Sequence, residues 1–486
     1  MTSKGESKRP SYLINRVKQV FPKLVVEKEE MDTSYEKIMG SDKGKSYLIS
    51  HLADGTYAKD VIWWEIASHY EKKTPGILKD LLGIREKRAG NNSLKKEAAK
   101  RLFGDVLYGS VTRFEQYVQC PFAFFAHYGL LLNERQQYEI SSLDHGNLFH
   151  QAMEHLSHEL EQRNKNWQDL SEKEAVLLAA ECVDAVAERY QGRKYFQSNR
   201  VSFMLKRLKN EVVHSVWAMW HQMQEGDFVQ TYTEKGFRGN DKEWESMCIP
   251  FGEDAKICLN GVIDRVDLCS LPGEELIKVI DYKSSDSQDL SLAKVYYGLQ
   301  MQLLTYLEAA KEMVEKEHKG KEAVPAAMLY YAIKEKNLDW KPESEEEYEK
   351  RVLDSMKCKG YVNEEPEIIG HLDKSVVNGG ELIPGQKSGV VPVAVDKKGL
   401  LKKNSGALST KDFETLIAHT KEKMKECGKA ILDGKIEAIP YVYEDNDGCT
   451  YCPYGSVCGH ESKKDGVREM KKMSDDEVWE ALYGDD

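Results

Sequence analysis

The chain has 486 residues, 41% hydrophobic and 31% charged, with a net charge of −12, enough apolar material for two or three cores. A mean hydropathy of −0.59 and the lack of any apolar run of bilayer length argue against a helical membrane protein. Met1–Pro10 is polar and lysine-bearing, without the apolar stretch of a secretory leader, so the cytoplasm is the expected compartment.

In chain order, residues 1–105 read as helices and loops without evident chemistry. Arg9-Pro10-Ser11 before Leu13, Ile14, Val17 and Val20 marks a capped amphipathic helix ending near Pro22. Gly90–Ser93 reads as a loop and Leu94–Phe103 as a helix. A new unit opens at Val106-Leu107-Tyr108 with the cap-like Ser110 and runs to 462 as a mixed α/β domain, followed by a charged tail over 463–486. Leu148, Ala152, Leu156 and Leu160 lie four apart, on one helical face. Long helices are predicted over Glu172–Tyr190 and Val201–Gln224. The apolar runs Cys258–Leu268 and Leu276–Tyr282, with Gly273 between them, predict a β-hairpin. A helix over Ala293–Val314, a strand over Ala326–Ile333, an irregular charged stretch over 334–410 and a helix over Asp412–Leu432 complete the reading.

The negative net charge does not decide partners, because binding depends on local patches. Between Glu71 and Arg101 stand ten Lys/Arg against four Asp/Glu, whereas Glu343–Glu349 and Asp475–Asp486 are acidic. Each run taken singly is a solvated face.

Chemistry concentrates at Gly261-Val262-Ile263-Asp264 and, seventeen residues on, Asp281-Tyr282-Lys283. Strand side chains alternate, so Asp281 and Lys283 share a face, and pairing of the two strands brings Asp264 beside them. Two converging carboxylates repel unless a cation separates them. Their hard oxygen ligands suit Mg²⁺ or Mn²⁺, which would activate a water and stabilise charge on a phosphate. Lys283 would hold that water or neutralise the phosphate. Taken alone, Asp281-x-Lys283 is no more than a surface ion pair. Three features shift that balance. His150, at the start of its helix in Gly146-Asn147-Leu148-Phe149-His150, lies off the apolar stripe and can complete a ligand set. Gln302 and Tyr306 lie four apart on a largely apolar helix, with Gln300 and Tyr297 nearby. The order His, Asp, Asp-x-Lys, Gln-x3-Tyr is itself hard to produce by chance.

Of the ten cysteines, Cys182, Cys248, Cys258, Cys269, Cys358 and Cys427 are isolated in sequence and read as single residues outside any disulfide framework. Cys449-Thr-Tyr-Cys452 and Cys458 form C-x2-C-x5-C, with Cys120 as the candidate fourth ligand 329 residues away and His460 as its substitute. Zinc is one reading. An iron–sulfur cluster better accommodates one thiolate far from three, as a staple across the domain.

His150, Asp264-Arg-Val-Asp, Asp281-Tyr-Lys283 and Gln302-x3-Tyr306 resemble the RecB-type motifs of the PD-(D/E)XK nucleases. The resemblance implies a restriction-endonuclease-like core with helical insertions and phosphodiester hydrolysis leaving a 5′-phosphate. It implies that His150, Asp264, Asp281 and the Tyr282 carbonyl hold Mg²⁺, with Lys283 as the catalytic lysine; Asp267 fits the flanking pattern but is not a ligand. The one-plus-three cysteine arrangement, Ser110-Val-Thr-Arg-Phe-Glu-Gln-Tyr before Cys120, and Tyr296-Tyr-Gly-Leu-Gln-Met-Gln resemble the C-terminal part of AddB-type helicase–nuclease proteins. That likeness implies a [4Fe-4S] cluster on Cys120, Cys449, Cys452 and Cys458, DNA as substrate, an AddA-type helicase–nuclease partner and a 5′-to-3′ exonuclease in recombinational repair. A non-catalytic DNA-binding scaffold is the alternative. No G-x4-G-K-[S/T] phosphate loop occurs, so no ATPase is expected of these residues.

Overall fold

The computed structural model describes residues 12–23, 41–54, 60–79, 93–133, 142–191, 199–238, 244–252, 255–283, 289–333, 344–460 and 466–484. The expected cap at Arg9-Pro10 and most of the loop at Gly90–Ser93 fall outside them. The chain divides into two compact units, residues 1–88 and 89–486.

The smaller unit contains α1 (Tyr12–Val20), α2 (Ser41–Asp54) and α3 (Val61–Lys73). Asp60 caps α3 by accepting from the amides of Ile62 and Trp63, a contribution of about 1 kcal/mol. Leu48, Leu52, Trp63, Ala67 and Tyr70 form its small core, and the Trp63 indole N–H donates to the Leu48 carbonyl.

The larger unit opens with α4 (Lys96–Phe103), β1 (Val106–Gly109) and α5 (Val111–Gln119). Three long helices follow: α6 (Ser142–Gln162), α7 (Glu172–Gln191) and α8 (Asn199–Gln224). Next come β2 (Val229–Gly236), β3 (Met247–Phe251), β4 (Ala255–Leu259), β5 (Val262–Ser270) and β6 (Glu274–Lys283). The chain continues through α9 (Leu292–Tyr296), α10 (Gln302–Glu317), β7 (Glu322–Ala332), α11 (Glu345–Ser355) and β8 (Lys359–Asn363). It closes with α12 (Pro366–Leu372), β9 (Ala407–Leu408), α13 (Thr410–Leu432) and α14 (Asp475–Tyr483).

A six-stranded mixed sheet in the order β9-β8-β7-β6-β5-β2 is the framework, and a second sheet has the order β1-β4-β3. β5 and β6 form the expected hairpin, turning through Gly273 at φ +87°, a conformation that favours glycine. β6 and β7 are parallel, so α10 makes the crossover that parallel neighbours require. One face of the sheet packs with α5, α10 and α13 through Leu303, Leu307, Phe413 and Leu416. The other packs with α6, α7 and α8 through Phe149, Leu178, Leu208 and Val216. Each such buried side chain contributes roughly 1.5–3 kcal/mol before entropy is counted.

Several sequence expectations change here. The run Cys258–Leu268 is split between two sheets. At Gly261 the Phe237 ring comes within 2.8 Å of where a Cβ would stand, so the chain crosses there only as glycine. The helix expected over Ala293–Val314 is broken into α9 and α10 around Gly298, whose φ is +78°. The stretch 334–410 is not irregular throughout: it supplies α11, α12 and sheet strands β8 and β9. Charged flanks and a strand of only five residues hide β8 from a periodicity reading. Cys248 and Cys258, read as isolated, lie directly opposite on β3 and β4 and are joined as a disulfide. Strand register, invisible in sequence spacing, brings them together. The acidic end forms α14, which begins with a Ser474/Glu477 capping box and buries Val478 in the core.

Candidate active site

The site lies where β5 and β6 end beside the first turns of α6 and α10. Alternation on β6 puts Asp281 and Lys283 on the α10 face, opposite Lys278. Lys283 Nζ is 2.5 Å from Asp281 Oδ2 and donates to Gln302 Oε1 at 2.8 Å. Gln302 Nε2 in turn donates to the Tyr306 hydroxyl at 2.9 Å. The Lys283 ammonium also stands over the Tyr330 ring, 5.4 Å from its centroid. The lysine is thereby held on three sides.

Asp264 Oδ2 accepts from the Tyr282 amide at 2.7 Å, which ties the end of β5 to β6. Its Oδ1 is 3.5 Å from His150 Nδ1, and the same nitrogen is 2.8 Å from Glu234 Oε1. One ligand atom from each of His150, Glu234 and Asp264 lies within 4.8 Å of the others. Burial and the neighbouring Asp281 raise the Asp264 carboxyl well above the usual range, against the pull of His150 and the Tyr282 amide. Burial likewise raises Asp281 although Lys283 favours its charged form. For His150, burial opposes charge, but the Glu234 hydrogen bond and Asp264 outweigh it and lift the imidazole to about 8. A set of acids held protonated and a histidine held charged is the signature of a negative cluster lacking a counter-cation. Two carboxylates and an imidazole converging in this way suit a divalent ion.

Sequence reading missed two members of this cluster. Glu234 arrives from β2, at φ +46°, a left-handed conformation that costs a non-glycine residue roughly 1–3 kcal/mol. Glu115 arrives from α5, accepts the Met301 amide at 2.6 Å and acts electrostatically on both Lys283 and Asp281. Nothing local marks Glu234 in Thr231-Tyr-Thr-Glu-Lys235, whereas Glu115 sits inside the stretch before Cys120 already singled out. Two other residues do not join the cluster. Gln300 accepts from the Ser291 amide and donates to the Asp289 carbonyl, and the Tyr297 hydroxyl donates to the Lys471 carbonyl.

The opposite face of the same strands carries a different set. Asp267 accepts from Arg265 at 2.7 and 2.9 Å and pairs with Lys278 at 2.8 Å, all three being buried. Despite burial, these two cations hold the Asp267 carboxyl below its ordinary value.

A second cluster gathers the four cysteines singled out in the sequence. Cys120 packs with Cys452 and Tyr454. Burial, Asp447 and the three other cysteines push the Cys449 thiol up to about 11. All four are free thiols. The His460 amide donates to Cys458 Sγ at 3.4 Å, and its buried ring nitrogens have no hydrogen-bond partner among the described residues. Distant parts of the chain meet here through long-range bonds: His127 Nδ1 with the Tyr454 hydroxyl at 2.7 Å, and Arg468 with the carbonyls of Val118 and Gln119.

A mixed sheet whose hairpin presents Asp264 and Asp-x-Lys is the architecture of one enzyme class, and the profile of the PD-(D/E)XK nuclease superfamily matches residues 109–459. The chain belongs to that superfamily. Among curated proteins it is similar to the AddB-type component of the ATP-dependent helicase/deoxyribonuclease of Lachnoclostridium phytofermentans, 33% identical over 99% of this chain and 41% of that protein. The proteins of the same description from Clostridium perfringens strain 13 and Alkaliphilus oremlandii are 30% and 28% identical, each over 98% of this chain and 42% of theirs. The chain thus spans about two fifths of the length of these relatives. Among the described residues no helix is long and apolar enough to cross a membrane.

Proposed function

We propose that the chain is a divalent-metal-dependent DNA exonuclease module, centred on residues 106–462, that works with an AddA-type helicase–nuclease partner in repairing double-strand breaks by recombination. The observation that supports this most is the convergence of His150, Glu234 and Asp264 beside the Asp281–Lys283–Gln302 chain.

In this reading His150, Asp264, Asp281 and the Tyr282 carbonyl hold Mg²⁺, and Glu234 orients His150. Mg²⁺ supplies Lewis acidity toward the phosphate and lowers the pKa of the attacking water. Lys283, kept in place by Gln302 and Tyr306, orients that water and offsets charge on the phosphate oxygens. Hydrolysis joins the water oxygen to phosphorus, breaks the bond to O3′, and leaves a 5′-phosphate and a 3′-hydroxyl, with the strand consumed 5′ to 3′. Cys120, Cys449, Cys452 and Cys458 hold a [4Fe-4S] cluster. Four free thiols from the two ends of the domain fit such a group, which supplies a crosslink and no step of the hydrolysis.

The test is anaerobic purification followed by cleavage of end-labelled DNA with and without Mg²⁺. Products form only with metal, a 5′ label is released before a 3′ label, and Asp281→Ala is inactive while folded. Undiminished cleavage by that variant rejects the site. Analysis should give about four iron and four acid-labile sulfide per chain; stoichiometric zinc rejects the cluster.

A further inference from the structure

The first turn of α10 presents Gln302, yet α10 has no cap of its own. Its N-cap residue is Met301, which has no side-chain oxygen, and its first turn contains no acidic residue. The initial amides of a helix lack intrahelical acceptors and carry partial positive charge. Local sequence satisfies neither need. Glu115 does so from α5, 186 residues away, by accepting the Met301 amide at 2.6 Å and bonding to the Gln302 amide. Burial raises its carboxyl to about 7 although both amides and Lys283 favour the charged form, so this carboxylate is kept in an unfavourable place.

We propose that Glu115 is a positioning residue: it caps α10 from outside that helix and thereby fixes Gln302, which in turn aims Lys283. The proposal rests on the reading of Lys283 as the lysine of phosphodiester cleavage. It assigns Glu115 no contact with DNA and no proton transfer. Its effect passes through one backbone turn, from Met301 to the Gln302 side chain and on to Lys283 Nζ at 2.8 Å.

The experiment uses the full chain with Glu115→Ala and Glu115→Gln. Hydrogen exchange is followed over 297–306, together with kcat, KM and thermal unfolding. Removing the acceptor in Glu115→Ala should speed exchange at the start of α10 and lower kcat, each by roughly 10- to 100-fold, as expected for loss of a charge-assisted bond. KM for DNA should stay within about 2-fold, because no substrate contact is lost. Glu115→Gln keeps an oxygen for the Met301 N–H and should return exchange and kcat to within about 3-fold of the parent. Unchanged exchange and kcat in a folded Glu115→Ala overturn the proposal. So does a folded Glu115→Gln as impaired as the alanine variant, since charge and not the acceptor would then matter. If Glu115→Ala does not fold, the glutamine variant decides by the same criterion. If the parent chain cleaves no DNA, the nuclease reading fails and the exchange measurements alone decide the capping role.

Discussion

The two faces of the β5–β6 hairpin treat their buried acids in opposite ways. Asp267 meets Arg265 and Lys278 and is held ionised. Asp264 and Asp281 crowd together with Glu234 nearby, and burial with mutual repulsion drives them toward their protonated forms. Residues a few positions apart in one hairpin thus form a completed ion cluster on one side and an incomplete one on the other. A satisfied cluster fixes structure, whereas an unsatisfied one is kept where an added ion is used.

The largest expected effect is on activity: Asp281→Ala should lower the cleavage rate by roughly 10³-fold or more, because metal and lysine lose a common partner. The midpoint of unfolding, followed by circular dichroism, should not fall. On the opposite face, Asp267→Ala should destabilise the fold by about 3–5 kcal/mol, since two buried cations lose their counter-ion. Urea titration measures this, and a loss below about 1 kcal/mol would erase the contrast between the faces.

Metal should act on one face only. Mg²⁺ at ten times its dissociation constant should stabilise the parent chain by about 1.4 kcal/mol, and Asp264→Asn should lose most of this gain. Thermal unfolding with and without Mg²⁺ reads the difference.

The smallest effect is on pH dependence in chelator. The folded pKa of Asp264 and Asp281 is raised, so their relative stabilisation is full below about pH 3.8 and is lost as pH rises through the raised values. Asp267 has the opposite sign: its contribution is present above about pH 3.8 and is lost as pH falls through its lowered folded value. Asp264→Asn should therefore flatten the decline toward neutral pH, and Asp267→Asn should flatten the acid limb. Identical pH–stability curves for the two variants would break the comparison.

How legible this was depended on how local each signal is. The helices α7 and α8 follow from periodicity, and the hairpin follows from two apolar runs around Gly273. Asp264, Asp281, Lys283 and Gln302 stand in short motifs, so their types and spacing are visible in one reading. Glu234 and Glu115 are not. The structure brings Glu234 beside His150 across 84 residues, and Glu115 beside Met301 across 186. Such juxtapositions come from strand order and helix packing, which no local pattern encodes. The Cys248–Cys258 pair depended on register in the same way, and β8 was masked by the charge around it.

The long-range closure at Arg468 has a consequence for the order of events in synthesis. Arg468 donates to carbonyls at the end of α5 nearly 350 residues upstream, and the Tyr117 hydroxyl donates to the Lys435 carbonyl. A ribosome releases α5 early but supplies these partners only near the end of the message. Contacts of such separation form late and slowly. The helix that carries Glu115 therefore waits for the final segment, so the half-made chain holds the hairpin acids before it holds the frame that aims the lysine.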